Sequence, residues 1–595
     1  MSEATDVIGT HLSPPDLLSC ILVCRTWKTL FIPHLYETFD DTQYSGPVVL
    51  ERPKWRKEEG NKDRDADWIL TMFTTYGHLI RRLCTGWTIS LNTASAAGTC
   101  TLLRSVAIRG LRVDDLAVER DHPILSNLPT SSTTSPLQQL EHKSHWIAKQ
   151  WLWHLIDQNS ATLRELEIAD INRFLTDTNF TDLLTSCPRL SRLALSLTPG
   201  ERLQILLDKL PELQHYEFIY PKYYFPPDTI EDYLLLASSV SSLVSLRITG
   251  SVGKETYFNL LKHLPNLQHL WIEGQYSIYS KRLTGLISPP TRLQRLDYTR
   301  QNAQLNDQLI PLDILDCSPE LTNVSVPFLT IEIARSIVAN CPNVQSFRES
   351  TLEQTVTRSI KRHGVIDSAG MLLEKCRHLT VLDAVHMEIS AEHLIAHSWI
   401  CQGLEIFRCQ IIRVGRLSEE EEMDYRQGLL FQRIGRPLSK NESAALEKYH
   451  NTVRTQHRLI YNQLAKMTNL KVLDLGMEFR GPRDFLSKPM IQRGAQVYRE
   501  YNLFLDTLEL SLASGLDRLA TLDKLEVFGF ESVDHRIDEE ELQWMAERWP
   551  RLRIMRGLQE PLVHSVMHDG ERWYRRVFMQ RLRPSIRHEG HPRPK

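Results

Sequence analysis

The amino-acid sequence predicts an α/β fold built from repeats, because one short apolar pattern returns along most of its 595 residues. The pattern reads Leu-x-x-Leu-x-Leu or a close variant, and most neighbouring copies begin about 23 to 30 residues apart. Between copies, apolar residues follow helical spacing, and a turn precedes the next copy. Alternate positions of the pattern suit a strand with one buried face, so each unit is predicted to hold one strand and one helix.

The repeated pattern is best seen from its apolar positions. They are Leu103/Val106/Ile108, Leu163/Leu166/Ile168, Leu190/Leu193/Leu195, Leu213/Tyr216/Phe218, Leu243/Leu246/Ile248, Leu267/Leu270/Ile272, Leu293/Leu296/Tyr298, Leu321/Val324/Val326, Leu379/Leu382/Ala384, Leu404/Phe407/Cys409, Leu470/Leu473/Leu475, Leu525/Phe528/Phe530 and Leu552/Met555.

A period of this length is typical of leucine-rich repeats, whose units are roughly 20–29 residues long. One strand and one helix cannot bury their apolar faces alone, so such units stack on one another. The sequence therefore predicts a leucine-rich-repeat solenoid, in which a curved parallel sheet carries helices on its outer side. Polar residues between the apolar positions, such as Arg164, Glu165 and Glu167, are expected on other faces, some of them on the concave surface. A large exposed sheet of this kind favours binding over catalysis.

The first 40 residues differ from the repeats and predict a short helical segment over residues 1–40. Pro14 and Asp16 suit the first turn of a helix, because proline loses no hydrogen bond there and an acid complements the helix dipole. Apolar residues then follow helical spacing, and Pro33 is expected to end the helix. Residues 41–67 are rich in charge and are predicted to form a linker or loop.

Leucine-rich repeats are predicted over residues 68–411 and again over residues 470–560. In most of their turns a proline stops the helix and favours extended backbone for the strand that follows. Cys187, Cys341 and Cys401 occupy equivalent places in these turns, where a small apolar side chain packs well.

A helical insertion over residues 412–469 separates the two groups of repeats. It has the spacing of a capping box at Ser418 and Glu421 and again at Ser439 and Glu442. The second box is followed by a long amphipathic pattern, which predicts a long helix with one buried side.

Residues 561–595 form a basic C-terminal tail in which aromatic residues lie among arginines. Arginine and aromatic side chains could together contact the phosphates and bases of RNA. A terminal helix that packs Trp573 and Phe578 on the last repeat explains the same pattern, and we favour it. We expect no nucleic-acid partner, because the formal net charge of −3 gives no overall basic field.

The composition is that of a folded, soluble protein, with 42% hydrophobic and 24% charged residues. No apolar run approaches the roughly 18 residues of a membrane-spanning helix, and the N-terminal residues lack the pattern of a secretory signal. The ten cysteines are scattered and include no Cys-x-x-Cys pair, so no disulfide framework is expected. These observations favour a cytoplasmic or nuclear protein with no membrane partner.

The sequence contains no pattern that would indicate catalysis, cofactor binding or metal binding. Neither a Gly-x-Ser-x-Gly motif nor a phosphate-binding loop occurs. His393 and His397 have helical spacing, but no zinc motif results, and the nearby Cys376 and Cys401 lie in repeat turns. The acidic run Glu419–Glu422 follows a predicted helix cap and is interpreted as a solvated first turn. We therefore predict no catalytic, cofactor-binding or metal-binding residues and no cofactor.

The segment LSPPDLLSCILVCRTWKTLFIPHLYETF near the N-terminus resembles the F-box. The matching residues are Asp16, Leu17, Leu18, Val23, Cys24, Trp27, Leu30, Phe31, Pro33 and Leu35. The family pattern usually opens with a Leu-Pro pair and a further helix. Here Val7, Ile8 and Leu12 are the only large aliphatic residues before Ser13. An F-box followed by leucine-rich repeats is the order of F-box/leucine-rich-repeat proteins, and the chain is most similar to the large fungal members of that family.

This resemblance implies a substrate-recognition subunit of an SCF-type cullin–RING ubiquitin ligase. The F-box would dock on the Skp-type adaptor of the cullin complex, and the repeats would bind an unknown target protein for ubiquitination and degradation. Other subunits would perform the chemistry, so the chain itself would not be an enzyme. On this interpretation the adaptor-binding residues are Leu17, Leu18, Leu22, Val23, Trp27 and Leu30.

An alternative function follows from the shortened motif. The chain would then be a non-ligase leucine-rich-repeat scaffold that binds proteins, and the degenerate F-box would serve as the N-terminal cap that a repeat array requires.

Overall fold

A computed structural model of the chain describes residues 12, 14–40, 70–112, 150–169, 179–195, 203–219, 234–249, 254–274, 292–300, 309–350, 367–415, 437–476, 507–530, 533, 537–557 and 578–588. These residues belong to two compact units, Met1–Leu267 and Gln268–Lys595. Each unit contains a parallel sheet, with described helices between most of its successive strands.

The first unit holds a parallel sheet in which each strand pairs with the next one along the chain. Its strands are β1 (Thr38–Asp40), β2 (Arg82–Trp87), β3 (Ser105–Arg112), β4 (Glu165–Ala169), β5 (Arg192–Leu195), β6 (His215–Ile219) and β7 (Ser245–Thr249). Its helices are α1 (Pro14–Val23), α2 (Arg25–Tyr36), α3 (Thr88–Ala97), α4 (Asn179–Thr185), α5 (Leu203–Lys209) and α6 (Lys254–His263), with further helical residues at 70–76 and 150–158.

The second unit repeats this arrangement, again with parallel pairing between successive strands. Its strands are β8 (His269–Gly274), β9 (Arg295–Arg300), β10 (Asn323–Val326), β11 (Ser346–Glu349), β12 (Val381–Ser390), β13 (Ile406–Ile412), β14 (Val472–Asp474), β15 (Val527–Gly529), β16 (Ile554–Arg556) and β17 (Arg587–His588). Its helices are α7 (Leu309–Asp316), α8 (Ile331–Asn340), α9 (Ser368–Lys375), α10 (Ala391–Ala396), α11 (Lys440–Ala465) and α12 (Glu539–Arg548), with a 3₁₀ helix at Leu516–Thr521.

The predicted apolar pattern forms the core of each repeat. In β7, Leu246 and Ile248 are fully buried, whereas the alternating Ser245, Arg247 and Thr249 are only half-buried. Helices supply the other side of the core, as α8 does with a buried apolar face. The prediction of an α/β fold of the leucine-rich-repeat type, with parallel strands and intervening helices, is therefore confirmed.

A recurring pair of hydrogen bonds joins each strand to the next. The carbonyl oxygen of Thr322, which precedes β10, accepts from the amides of Gln345 at 2.8 Å and Ser346 at 3.0 Å. The carbonyl of Gln345 accepts in the same way from Thr380 and Val381. The same arrangement recurs at the carbonyls of Glu37, Arg81, Arg104, Arg164, Ser191, Gln214, Gln268, Gln294, Thr380, Glu405, Lys471 and Glu526. These bonds set one register for successive strands, because each carbonyl selects the same two positions of the next repeat.

The cysteines predicted to pack in the turns are buried there. At the end of α8 the amide of Cys341 donates to the carbonyl of Ile337 at 2.9 Å, and its Sγ donates to the carbonyl of Leu315 in the preceding repeat at 3.6 Å. Cys187 and Cys401 are equally buried. All ten cysteines lie in the described part of the chain, and each of them is a free thiol there.

Two details differ from the sequence-based expectation. Pro33 lies inside α2 and does not end it, because the last turn is held by burial of Leu35 and by a ring contact of Tyr36. The repeat of β11 was not predicted, because its pattern reads Val344, Phe347 and Glu349, with an acid at the third apolar position.

The predicted insertion does not interrupt the sheet, because β13 pairs directly with β14. The predicted capping box at Ser439 and Glu442 begins α11: the Ser439 amide donates to Glu442 Oε2 at 2.7 Å, and the Glu442 amide donates to Ser439 Oγ at 3.2 Å. The C-terminal half of α11 buries Ile460 and Tyr461 and so supplies an outer helix to the next repeat. The first predicted capping box, the Glu419–Glu422 run and the predicted linker 41–67 lie outside the described residues.

The described part of the basic tail packs on the last repeat, as the favoured interpretation predicts. Met579 and Ile586 are buried, and β17 pairs with β16. Arg583 donates from Nη1 to the carbonyl of Trp549 at 2.6 Å. Trp573 lies outside the described residues, and Phe578 is half-buried.

The burial of the thiols predicts a sharp difference in their reactivity. Cys24 is exposed, whereas burial raises the pKa of Cys341 and Cys401 to about 12. Since the thiolate is the nucleophile, a maleimide should label Cys24 long before Cys341 or Cys401 at neutral pH. Timed alkylation followed by peptide mass spectrometry measures the order of labelling. Concentrated guanidinium chloride provides the control in which all thiols react, and equal native labelling of Cys24 and Cys341 would contradict the structure.

Candidate functional site

The N-terminal helices α1 and α2 form a hairpin whose turn is the single residue Cys24. Its backbone is extended, at φ −161° and ψ 168°, and this breaks the helical path after Val23. Its Sγ accepts a hydrogen bond from the Trp27 amide at 3.5 Å, and its carbonyl accepts from the Lys28 amide at 2.9 Å. Cys24 therefore caps α2 while it separates the two helices.

The hairpin has a small apolar core of its own. Leu17, Phe31 and Leu35 are buried in it, and partly buried apolar residues surround them. The ring of Trp27 meets that of Phe31 edge to face, with 5.7 Å between centroids. This core holds the two helices together but leaves much of the turn region uncovered.

The C-terminal end of α2 is attached to the first repeat. The rings of Tyr36 and Tyr76 stack with their centroids 4.1 Å apart, and Phe39 of β1 packs against Phe73 at 5.0 Å. Burial, together with the neighbouring Tyr76, raises the pKa of the Tyr36 hydroxyl, so this ring stays neutral in the stack. The carbonyl of Glu37 then accepts the first pair of interstrand hydrogen bonds. The hairpin is thus joined to the first strands by ring packing and by backbone hydrogen bonds.

The opposite end of the hairpin exposes large apolar side chains. Leu22 is 84% exposed, Val23 is 64% exposed and Trp27 is 42% exposed. Together with Cys24 they form a surface that we call the hairpin tip. Single exposed apolar residues are ordinary on protein surfaces, but a contiguous group of them marks an interaction site.

All six residues predicted to contact or shape an adaptor surface lie in this hairpin. Leu22, Val23 and Trp27 belong to the tip, and Leu18 and Leu30 are half-buried against the hairpin core. Leu17 is 4% exposed, so any contribution it makes to binding is through the shape of the hairpin.

The second unit carries a row of charged residues on the face of its sheet opposite the buried leucines. Its residues occupy the same position in successive repeats, and their charges alternate in sign. Its members, which we call the charge ladder, are Arg348, Asp383, Arg408, Asp474 and Arg556.

Members of the charge ladder form ion pairs with one another. Arg408 Nη1 lies 3.2 Å from Asp383 Oδ2, and Arg556 Nη1 lies 3.2 Å from Asp474 Oδ2. The second pair is buried and spans the strand between its members at Gly529, where a Cβ atom would lie 2.1 Å from Asp474 Oδ1. Only glycine leaves room for this buried carboxylate.

A row of aliphatic residues lies beside the charge ladder, two positions earlier in each strand. It consists of Val381, Ile406, Val472, Val527 and Ile554, in register on five successive strands. We call it the aliphatic row; its members are half-buried, apart from the buried Val527. The sequence pattern did not identify this row. The phase of each strand was uncertain by one residue, and a shift of one residue exchanges the two faces of a strand. An apolar centre with charged residues around it is the usual anatomy of a protein-binding surface.

No family model and no curated protein matches the chain. Among solved structures, a leucine-rich-repeat protein of Leptospira interrogans is similar, with 11% sequence identity and a TM-score of 0.28. The alignment covers 73% of this chain and 91% of that one. The repeat fold of this chain is shown by the parallel pairing of its own strands. Among the described helices, none is long and apolar enough to cross a lipid bilayer.

The buried ion pair across Gly529 predicts the effect of a small substitution. Gly529→Ala should lower the free energy of unfolding by about 1–3 kcal/mol, because the new methyl group displaces the Asp474 carboxylate from Arg556. Gly403→Ala is the matched control, since a Cβ there would have its nearest neighbour at 3.9 Å, and a change within about 0.5 kcal/mol is expected. Urea unfolding measures both, and equal effects would argue against the pair as the cause.

Proposed function

We propose that the chain is the substrate-recognition subunit of an SCF-type ubiquitin ligase, with the hairpin docking on a Skp-type adaptor. The observation that carries the proposal is the exposed apolar hairpin tip. Leu22 and Val23 are used neither by the hairpin core nor by the contact with the first repeat. Trp27 packs on the core residue Phe31 but remains 42% exposed. Apolar surface of this kind is stabilised when a partner covers it.

The two ends of α2 support two separate roles. Tyr36 and Glu37 attach the hairpin to the repeats, whereas Trp27 lies about 13 Å away along the helix axis at about 1.5 Å per residue. A capping role accounts for the attached end alone. Adaptor binding gives the tip a function as well.

The connection between hairpin and repeats suits a receptor. Backbone hydrogen bonds from Arg81 and Arg82 to the Glu37 carbonyl, at 2.8 and 3.0 Å, continue the sheet ladder directly from α2. An adaptor bound at the tip would therefore be connected to the repeat sheet through a short, hydrogen-bonded link. The physical contribution is effective concentration, since the target lysine stays near the transferring enzyme, and the chemistry belongs to other subunits.

The aliphatic row and the charge ladder support a protein as the target. Apolar side chains of a target would pack on the row, and its polar groups would meet the charged residues on either side, such as the exposed pair of Lys471 and Glu405 at 2.8 Å. Both signs of charge occur there, which does not suit the uniformly negative backbone of nucleic acid. We also propose a fungal origin and a cytoplasmic or nuclear location, on the same resemblance.

A non-ligase scaffold is the second candidate, and the stacked Tyr36 and Tyr76 rings favour it. In that case the hairpin would cap the first repeat and the tip would bind no adaptor. The two candidates differ in one measurable property, which is direct binding of the purified adaptor.

Substitutions in the hairpin tip test the proposal. Leu22→Ser, Val23→Ser and Trp27→Ala are each expected to weaken binding of a purified Skp-type adaptor by about fivefold or more, because truncating a central apolar contact costs more than about 1 kcal/mol. Biolayer interferometry with the full chain gives the dissociation constants.

Leu459→Ser on α11 is the matched control, since Leu459 is also an exposed leucine, at 41%. It should leave adaptor binding unchanged. Thermal melting of each variant separates loss of contact from loss of folding. Absence of adaptor binding by the intact protein would remove the ligase proposal and leave the scaffold.

A further inference from the structure

Three potential metal ligands from two neighbouring helices meet on the helical side of the second unit. They are Glu374 in the last turn of α9, His393 in α10 and His397 directly after α10. One ligand atom from each lies within 4.8 Å of the others. Among the described residues, no other group of three His, Cys, Asp or Glu side chains converges in this way.

The local backbone explains how the two histidines come together. They are four residues apart, and the His397 amide donates to the His393 carbonyl at 3.1 Å, so both rings lie on one side of α10 with centroids 4.6 Å apart. The ring of His393 also packs against α9 at Gly370, where a Cβ atom would lie 2.3 Å from Cδ2. Gly370 is one helical turn before Glu374, and its missing side chain lets the imidazole approach that face.

One ligand pair already has the spacing of a tetrahedral ion. His397 Nδ1 lies 3.2 Å from Glu374 Oε2. Two ligand atoms at about 2.0–2.1 Å from a tetrahedral zinc ion are about 3.3 Å apart, so this pair already has the required separation. The other carboxylate oxygen, Oε1, lies 2.5 Å from Lys375 Nζ. Lys375 thereby orients the carboxylate and leaves Oε2 toward the histidines.

The burial of the His393 Nε2 atom also favours a bound ion. His393 Nε2 is buried and has no hydrogen-bond partner among the described residues. An unsatisfied buried polar atom costs free energy, which coordination or a small shift of the ring toward an ion would offset.

We propose that Glu374, His393 and His397 bind a divalent transition-metal ion, preferably zinc. Two imidazole nitrogens with one carboxylate oxygen suit zinc, whereas magnesium and calcium prefer oxygen ligands alone. Water would complete the coordination. Because the ligands come from α9 and from α10 and its end, a bound ion would cross-link two adjacent repeats. The inference does not depend on adaptor binding.

The sequence analysis predicted no metal-binding residues, and the two cysteines considered there are not among the ligands proposed here. Cys376 and Cys401 lie near the histidines in sequence, but both thiols are buried, and burial raises their pKa to about 11 and about 12. Glu374, which comes from the preceding helix, takes the position beside the histidines. Only the packing of α9 against α10 reveals it.

Zinc titration of the full chain tests the site. Calorimetry should give one tight site per chain, and zinc should raise the melting temperature. His393→Ala and His397→Ala should abolish the tight site, and Glu374→Gln should weaken it by at least about tenfold. His397 is 44% exposed, so its variant is expected to fold even if that of His393 does not. Cobalt in place of zinc should show no thiolate charge-transfer absorption.

Gly370→Ala tests the geometry without removing a ligand. It should weaken zinc binding by about tenfold to a hundredfold, because the new methyl group displaces the His393 ring. His78→Ala removes an exposed histidine elsewhere and is the matched control, with no change expected. Unchanged zinc affinity in His397→Ala, or a thiolate band in the cobalt form, would overturn the proposal.

Discussion

The structure depends on one recurring interaction. The carbonyl of the residue that precedes a strand accepts hydrogen bonds from two consecutive amides at the start of the next strand. Thr322 and Gln345 show it, and the same pair of bonds recurs along both units. Because each carbonyl selects the same positions of the following repeat, residues at one position line up across many strands. The buried leucines, the charge ladder and the aliphatic row are all consequences of this single register.

The repeat pattern predicted the fold class well, because a strand with one buried face needs apolar residues at fixed positions. It failed where an element lacks the expected residue type but is held in place by another contact. Glu349 stands at an apolar position of β11, yet the strand forms because its neighbours on both sides supply the hydrogen bonds. Pro33 lacks an amide hydrogen, yet α2 continues through it because Leu35 is buried and Tyr36 stacks on Tyr76.

The candidate sites were less predictable than the fold. The F-box-like pattern covers the hairpin that carries the exposed tip, but periodicity alone did not separate the buried Leu17 from the exposed Leu22. The aliphatic row could not be assigned because strand phase was uncertain by a residue. The meeting of Glu374 with His393 depends on how two helices pack, and no sequence spacing reports that.

The pairing of β13 with β14 shows where this architecture accepts extra chain. The two strands are adjacent in the sheet although all of α11 lies between them in sequence. Closing a longer loop costs only about 0.6 kcal/mol for each doubling of its length, so added chain between these strands is tolerated while the buried C-terminal half of α11 keeps its place. This junction is therefore a natural acceptor site for a grafted module, such as a fluorescent reporter, whose own fold need not conform to the repeat period.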